Sequence, residues 1–520
     1  MSAGSDPGAP RTGGSPTPDA PDATADGTGI GDVAASVLVF GSSCAVLVVE
    51  IVALRLLAPY FGLTLETSTL VIGLALAAIA AGAWLGGRWA DGHDARGLLG
   101  RLLYISGAVV AATPFLVRGA GSVPDSGLLL PVTTACIVVP GALLSAMTPM
   151  VTKLRLATLE QTGSVVGRLS GIGTAGAITG TVVTGFVLIS TVPVTWIMVG
   201  LGVLLAAGGV ATEVHSRRAV AAATAAGVLL VGAGGALLLP SGCDYETTYH
   251  CAVVQADPDR EGGLSLVLDN LRHSYVDVGD PEYLEFSYVK ALAAATEASY
   301  PAGEAIDAHH LGGGGLTLPR WLATTRPGTT STVSEIDPGV VEVDEERLGL
   351  ETGPDLEVRV EDARTGLDAI DDDSRDLVVG DAFGGVSVPW HLTTVEVLGE
   401  VRRVLGDDGL YAANLIDYPP LGFARAEVET LGAVFDHVAL AATPASVRNE
   451  SGGNLVALAS DAPIDTAAWQ EALDARDVGW QVIEGAELDA WVGDSPVLTD
   501  DYAPVDQLLT PYPSARAVSG

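Results

Sequence analysis

Between residues 33 and 240 the chain is apolar almost throughout, in stretches of about 20 residues, the helical length that crosses the hydrocarbon of a bilayer. The pattern predicts about seven spans, at 33–54, 67–90, 99–118, 127–150, 169–190, 194–212 and 219–240. Short polar breaks part them, such as Asp91-Gly92-His93-Asp94 and His215-Ser216-Arg217-Arg218. Residues 1–30, rich in Gly, Pro, Ser, Thr, Asp and Ala, bury too little to offset chain entropy and predict a disordered tail. That tail lacks the basic start of a signal peptide, so the first span is expected to be retained. After residue 241 short β-branched runs alternate with amphipathic stretches, which predicts βα units and a largely parallel sheet.

Charge follows the same division. A mean hydropathy of +0.39 beside a net charge of −37 requires the apolar and acidic residues to be segregated. From residue 241 onward there are 51 acidic against 15 basic side chains, so the acid belongs to the second half. Scattered acids with only two lysines resemble proteins of salt-accumulating halophiles, whose acidic surfaces stay soluble where screening is strong. No basic stripe exists to neutralise phosphates, which argues against nucleic acid as a partner.

Within the apolar half two features stand out. The run GIGTAGAITGTVVTG, Gly171 to Gly185, has the small residues that let helices approach closely in lipid, although small residues are also common in so Ala- and Gly-rich a chain. Glu50 lies inside the first span, where a carboxylate is costly unless protonated, paired or facing a polar cavity. It is either a functional group or the partner of Arg55, five residues on.

The chemistry concentrates after Ala305. AIDAHHLGGGGLTLPRWL predicts a strand, a glycine-rich turn and a helix, in which the backbone can come close to a nucleoside. TSTVSEIDPGVVEV then places Glu335 at the next strand end, 23 residues beyond Gly312, where an acid can accept hydrogen bonds from ribose hydroxyls. LEVRVEDARTGL puts Asp362, and SRDLVVGDAFGG puts Asp381, at two further strand ends. Four successive strand ends bearing glycines or carboxylates describe one rim of a parallel sheet, the place where open α/β folds bind ligands. There is no P-loop, no nucleophile elbow and no His/Cys cluster with metal-ligand spacing, so no metal is expected.

These motifs resemble the spermidine synthase (polyamine aminopropyltransferase) family in a membrane-fused form, over residues 245 to 506. LVLDNLRHSYVDVGDPEYLEFSY is similar to the family's β-rich lid region, HLGGGGLTLPRWL to its glycine motif, SEIDPGVVEV to its ribose motif, EDARTGL to its adenine motif and VVGDAFGG to its catalytic loop. SPVLTDDYAPVD and the RLLAPYFG of the first span are similar to stretches of the fused members. The resemblance implies a multi-pass helical membrane domain over 31–240, a small β-rich lid over 241–300 and a Rossmann-like, methyltransferase-type domain over 301–520. It implies a transferase whose co-substrate is decarboxylated S-adenosylmethionine or S-adenosylmethionine. Glu335 would hold the ribose with Asp337 beside it, Asp362 and Ala363 the adenine, and Gly312, Gly313 and Gly314 the methionine-like part. Asp381 would be the general base that takes a proton from an attacking amine. His273, Tyr275, Tyr288 and Trp390 are expected at the acceptor. The chain departs from the family at Gly315, at Gly384-Gly385 and at Tyr288-Val289, which removes acidic positions from the diamine pocket.

The partners expected are a small-molecule amine or other acceptor and the lipid bilayer, and a homo-oligomer is compatible with the chain. The same strand-end carboxylates suit a methyltransferase, and a transporter or sensor that binds the nucleoside without turnover is a third reading. Loops after the even-numbered spans carry Arg88, Arg96, Arg101, Lys153, Arg155, Arg168, Arg217 and Arg218, against Arg55 and Arg118 on the opposite side. By the positive-inside bias seven spans would deliver the carboxy-terminal domain outside the cytoplasm. Cys243 and Cys251 have the spacing of a small disulfide loop or are two unpaired thiols; a disulfide would suit that side.

Overall fold

The computed structural model describes residues 30–61, 65–121, 127–156, 162–215, 243–269, 271–382 and 388–510. Among the described residues, six helical stretches in the first half are long and apolar enough to cross a membrane: Asp32–Ala58, Leu65–Gly92, Ala95–Gly121, Leu129–Arg155, Thr162–Leu188 and Val194–Thr212. The seventh predicted span, 219–240, lies outside the described residues, as do the predicted tail (all but Ile30) and Gly384-Gly385. We label the helices α1 (Asp32–Phe61), α2 (Leu65–Gly92), α3 (Ala95–Gly121), α4 (Leu129–Ser145), α5 (Met147–Arg155), α6 (Thr162–Val183) and α7 (Val194–His215). The fourth predicted span is thus two helices, interrupted at Ala146.

Glycine decides how closely α1 and α6 meet. A methyl group on Gly176 or Gly180 would overlap the α1 backbone at Phe40 or Cys44, whereas Gly171 faces open space. The glycine-rich run therefore packs helices where its residues face α1. Gly176→Leu is expected to destabilise the bundle by about 1–3 kcal/mol through overpacking, while Gly171→Leu leaves the melting midpoint unchanged; thermal unfolding of the full chain in detergent checks both.

At one end of the bundle Lys153 pairs with Asp91 at 3.2 Å, and Arg155 pairs with Asp32. At the other end α1 and α3 finish and α2 and α7 begin, and here the second half of the chain is seated. Arg55, buried, donates from Nε to the Thr248 carbonyl and from Nη2 to that of Thr247, both at 3.1 Å. No bond joins it to Glu50 among the described residues. Arg118 pairs with Glu246 at 2.6 Å, and Thr195 donates to the same carboxylate at 3.1 Å. The segment so gripped is closed by a Cys243–Cys251 disulfide.

A four-stranded antiparallel sheet follows, β1 (Tyr245–Glu246), β2 (Cys251–Ala256), β3 (Gly263–Leu268) and β4 (Leu271–Asp277). After helix α8 (Ser287–Ser299) comes an eight-stranded sheet of β5 (Asp307–Leu311), β6 (Thr330–Glu335), β7 (Leu356–Val360), β8 (Arg375–Gly380), β9 (Leu405–Asp417), β10 (His437–Ala442), β11 (Gly453–Ser460) and β12 (Gln481–Glu484). Its order is β12-β10-β11-β9-β8-β5-β6-β7. Strands β5 to β9 are parallel, and β10, β11 and β12 join by antiparallel pairing. The central strands β8 and β9 bury apolar residues on both faces, β5 is buried although it carries two histidines, and β7 is a half-exposed edge; the connection reverses between β5 and β8. That reversal opens a crevice beyond the carboxyl ends of the strands.

Candidate functional site

A cavity of about 750 Å³ lies at this crevice. Its floor is the β5 turn. Gly312 N–H donates to the Ser334 carbonyl and Asp381 N–H to the Leu311 carbonyl, both at 2.9 Å, which draws the ends of β5, β6 and β8 together. Gly312 has φ +102, and a side chain on it would strike the Asp381 carbonyl. Only glycine fits this turn. Gly313 and Gly314 continue the floor.

The three strand-end carboxylates reach the cavity in different surroundings. Glu335 Oε2 accepts from Gly313 N–H at 2.8 Å and Oε1 from Asp337 N–H at 2.9 Å. Burial holds its carboxyl above the ordinary value, and those amides oppose the rise. Asp362 caps the short helix Ala363–Leu367 through Arg364 N–H at 3.0 Å, and its other oxygen meets His391 Nε2 at 2.9 Å. Ala363 lines the cavity beside it. Asp381 is the deepest. Asn414 donates to its Oδ1 at 2.7 Å, and Tyr288 on α8 also bonds it. Burial raises its carboxyl above the usual range, and both hydrogen bonds pull it back.

Asn414 on β9 and Asn454 on β11 carry no motif, and reading the sequence did not single them out. The amide of Asn454 donates to Asn414 Oδ1 at 2.9 Å, which commits the amino group of Asn414 to Asp381. The signal available was an amide side chain in the apolar central stretch of each strand, GLYAANLI and NLVALA, where a polar group is kept only with a partner.

His273 lines the cavity with its Nε2 buried and without a partner, and burial, helped by nearby His250, lowers its pKa to about 4. His250 itself meets Asp269 at 3.0 Å. Trp390 and His391 form the opposite wall from a single 3-10 turn. Two expected ligand contacts are absent from the wall. Tyr275 turns away and donates to Asp257 at 2.7 Å. His273 is an extra residue in the β3–β4 pairing, since Arg272 opposes Val267 and Ser274 opposes Leu266. This bulge reverses the face on which Tyr275 falls. Asp337 is consumed as a structural acceptor: it caps the helix Pro338–Arg347 through Gly339 N–H at 3.0 Å and also accepts from Thr248 and Tyr249 N–H at 3.2 and 3.0 Å. No group of three or more His, Cys, Asp or Glu among the described residues is arranged to hold a metal ion.

No family profile matches the chain. The polyamine aminopropyltransferase of Vibrio vulnificus (strain CMCP6) is 31% identical over 106 residues, 20% of this chain and 36% of that protein, so the chain spans about a third of the length of the curated relative it matches. Among solved structures, a probable spermidine synthase from Corynebacterium glutamicum ATCC 13032 aligns with TM-score 0.47 and 27% identity, over 50% of this chain and 97% of the other. A spermidine synthase in complex with the transition-state analogue AdoDATO aligns with TM-score 0.34 and 19% identity, over 44% and 74%. Human methyltransferase-like protein 13 in complex with SAH aligns with TM-score 0.32 and 19% identity, over 43% and 100%. Over 106 residues, then, the chain is similar in sequence to a polyamine aminopropyltransferase, the family that its strand-end motifs resemble.

Proposed function

We propose that the carboxy-terminal half transfers a group, in the manner of an aminopropyltransferase, from an S-adenosyl nucleoside to an acceptor nitrogen. The observation that carries this is the convergence of Glu335, Asp362 and Asp381 from three parallel strand ends on one cavity whose floor is bare glycine backbone. Glu335 suits the ribose hydroxyls, Asp362 with Ala363 the adenine, and Gly312–Gly314 the chain that leads to the sulfonium. Asp381, fixed by Asn414 and Tyr288, is the general base. The acceptor nitrogen attacks the carbon beside the sulfonium, the carbon–sulfur bond breaks with its electron pair going to sulfur, and Asp381 takes the proton. Carboxylates around the site also favour the cationic donor electrostatically.

Calorimetry of the full chain with decarboxylated and intact S-adenosylmethionine, followed by product analysis with candidate acceptors, tests this reading. Preference for the decarboxylated donor with transfer of its propylamine supports it; preference for the intact donor with methyl transfer selects a methyltransferase; binding without any product selects a sensor.

We infer further that this half lies outside the cytoplasm. It is seated on the end of the bundle opposite Lys153 and Arg155, where Arg55 and Arg118 are engaged by it, and the Cys243–Cys251 disulfide there suits an oxidising compartment. In intact cells a membrane-impermeant thiol reagent is expected to label Cys243 and Cys251 after an impermeant reductant and not before it. Labelling only after lysis would overturn the placement.

A further inference from the structure

Four carboxylates line the cavity among the described residues, and each already has a protein partner. Glu335 takes the amides of Gly313 and Asp337, Asp362 takes Arg364 N–H and meets His391, and Asp381 holds Asn414 and Tyr288. Asp506 Oδ2 accepts from the amide of Leu65 at 2.8 Å. The wall bears a single arginine or lysine, Arg272, whose guanidinium lies 5.2 Å from the Phe286 ring and forms no ion pair among the described residues. In the transferase reading Glu335 and Asp362 serve the donor and Asp381 the reacting nitrogen, so the far ammonium of a small diamine is left with the cation Arg272 and with Asp506, which already accepts from Leu65. Much of the remaining wall, Leu268, Leu271, Phe286 and Leu292, is apolar.

The same wall is held by the membrane helices. Tyr249 and His250 directly follow Thr247 and Thr248, the residues gripped by Arg55, and Asp506 is bonded to the first residue of α2. Exposed apolar side chains line the cavity as well: Tyr249 is 38%, Ile336 45% and Trp390 46% exposed. Tyrosine and tryptophan with one wet and one apolar side are the residues that settle at a bilayer interface.

Resting on the transferase reading above, we propose that the acceptor is the primary amine of a zwitterionic phospholipid headgroup presented at the membrane surface. The amine goes to Asp381, the phosphate to Arg272, and the glycerol and chains lie across the apolar wall towards the bilayer. A nitrogen–carbon bond forms, the carbon–sulfur bond of the donor breaks with its electrons going to sulfur, and the proton passes to Asp381. The lipid leaves with a secondary amine, and the nucleoside leaves as a neutral thioether.

The test uses the full chain in vesicles of phosphatidylethanolamine and phosphatidylglycerol, or of phosphatidylcholine and phosphatidylglycerol, supplied with either donor. Mass spectrometry of the lipids is expected to show modified phosphatidylethanolamine and unchanged phosphatidylcholine. Water-soluble phosphoethanolamine and putrescine, offered in the phosphatidylcholine vesicles, are expected to be poor acceptors. Arg272→Gln should raise KM for the lipid by about tenfold or more, the worth of one charge-assisted contact, with kcat within a few-fold and donor affinity by calorimetry unchanged. Turnover of putrescine or phosphoethanolamine as fast as of the lipid overturns the proposal, as does bound donor with no modified lipid. An Arg272→Gln variant that weakens only the intact donor does so too, by assigning the guanidinium to the donor's carboxylate. Failure of the transferase reading itself is seen separately, as donor binding absent from calorimetry before any acceptor is added.

Discussion

Asp381→Asn is expected to abolish transfer, by about 100- to 10,000-fold as for a lost general base, with donor affinity kept within a few-fold. The amide keeps the shape and the contact with the Asn414 side of the pocket but cannot accept the proton. Asp362→Ala should do the reverse, weakening the nucleoside while turnover per bound complex persists. The pH profile carries the same assignment. As the proposed base Asp381 works only as the carboxylate, so kcat is expected to rise with pH through its pKa, which burial places above the ordinary aspartate range. Asn414→Leu removes a hydrogen bond that favours the ionised form and moves the acid limb to still higher pH. Single-turnover rates across pH check both variants, and an unshifted limb in Asn414→Leu would detach Asp381 from the proton transfer.

The second large effect is expected at Asp337, 1% exposed and outside the cavity wall. Its carboxylate accepts from the amides of Thr248, Tyr249 and Gly339 and from the Thr247 hydroxyl. Asp337→Ala removes the shared acceptor of four partly or fully buried donors, each at about 1–3 kcal/mol less whatever water recovers, so a loss of about 3–5 kcal/mol is expected. Because Arg55 holds the carbonyls of Thr247 and Thr248, the variant also loosens the seat of the second half on the bundle. Thermal melting of the full chain and hydrogen exchange at Thr248 and Tyr249 are the measurements. A variant that melts with the parent and keeps those amides protected would return Asp337 to the ligand.

The sequence was legible where a period or a strand end carried the information. Apolar runs foretold the six described spans, and the alternation after residue 241 foretold the parallel strands that put Glu335, Asp362 and Asp381 on one rim. What escaped were features fixed by tertiary pairing. The bulge at His273 turns Tyr275 away from the cavity, and a one-residue slip of this kind leaves no mark in a single sequence. Asn414 and Asn454 meet only because β9 and β11 are neighbours across 40 residues of chain. Arg55 looked like a partner for Glu50 because five residues separate them; its true partners are carbonyls nearly 200 positions away. Asp337 sits in the ribose motif yet serves as a helix cap, since an aspartate before a Pro-initiated helix answers the unpaired amides of the first turn.

Helix α1 has 30 residues and α2 has 28. At about 1.5 Å per residue they are about 45 and 42 Å long, against a hydrocarbon layer of about 30 Å. The surplus is taken up by tilt or by projection past the lipid, and a bilayer thicker or thinner by a few Å changes that tilt. Arg55 near the end of α1 is bonded to Thr247 and Thr248, and the Leu65 amide at the start of α2 to Asp506. Three hydrogen bonds thus join the ends of two helices longer than a bilayer's hydrocarbon to residues that adjoin or line the cavity.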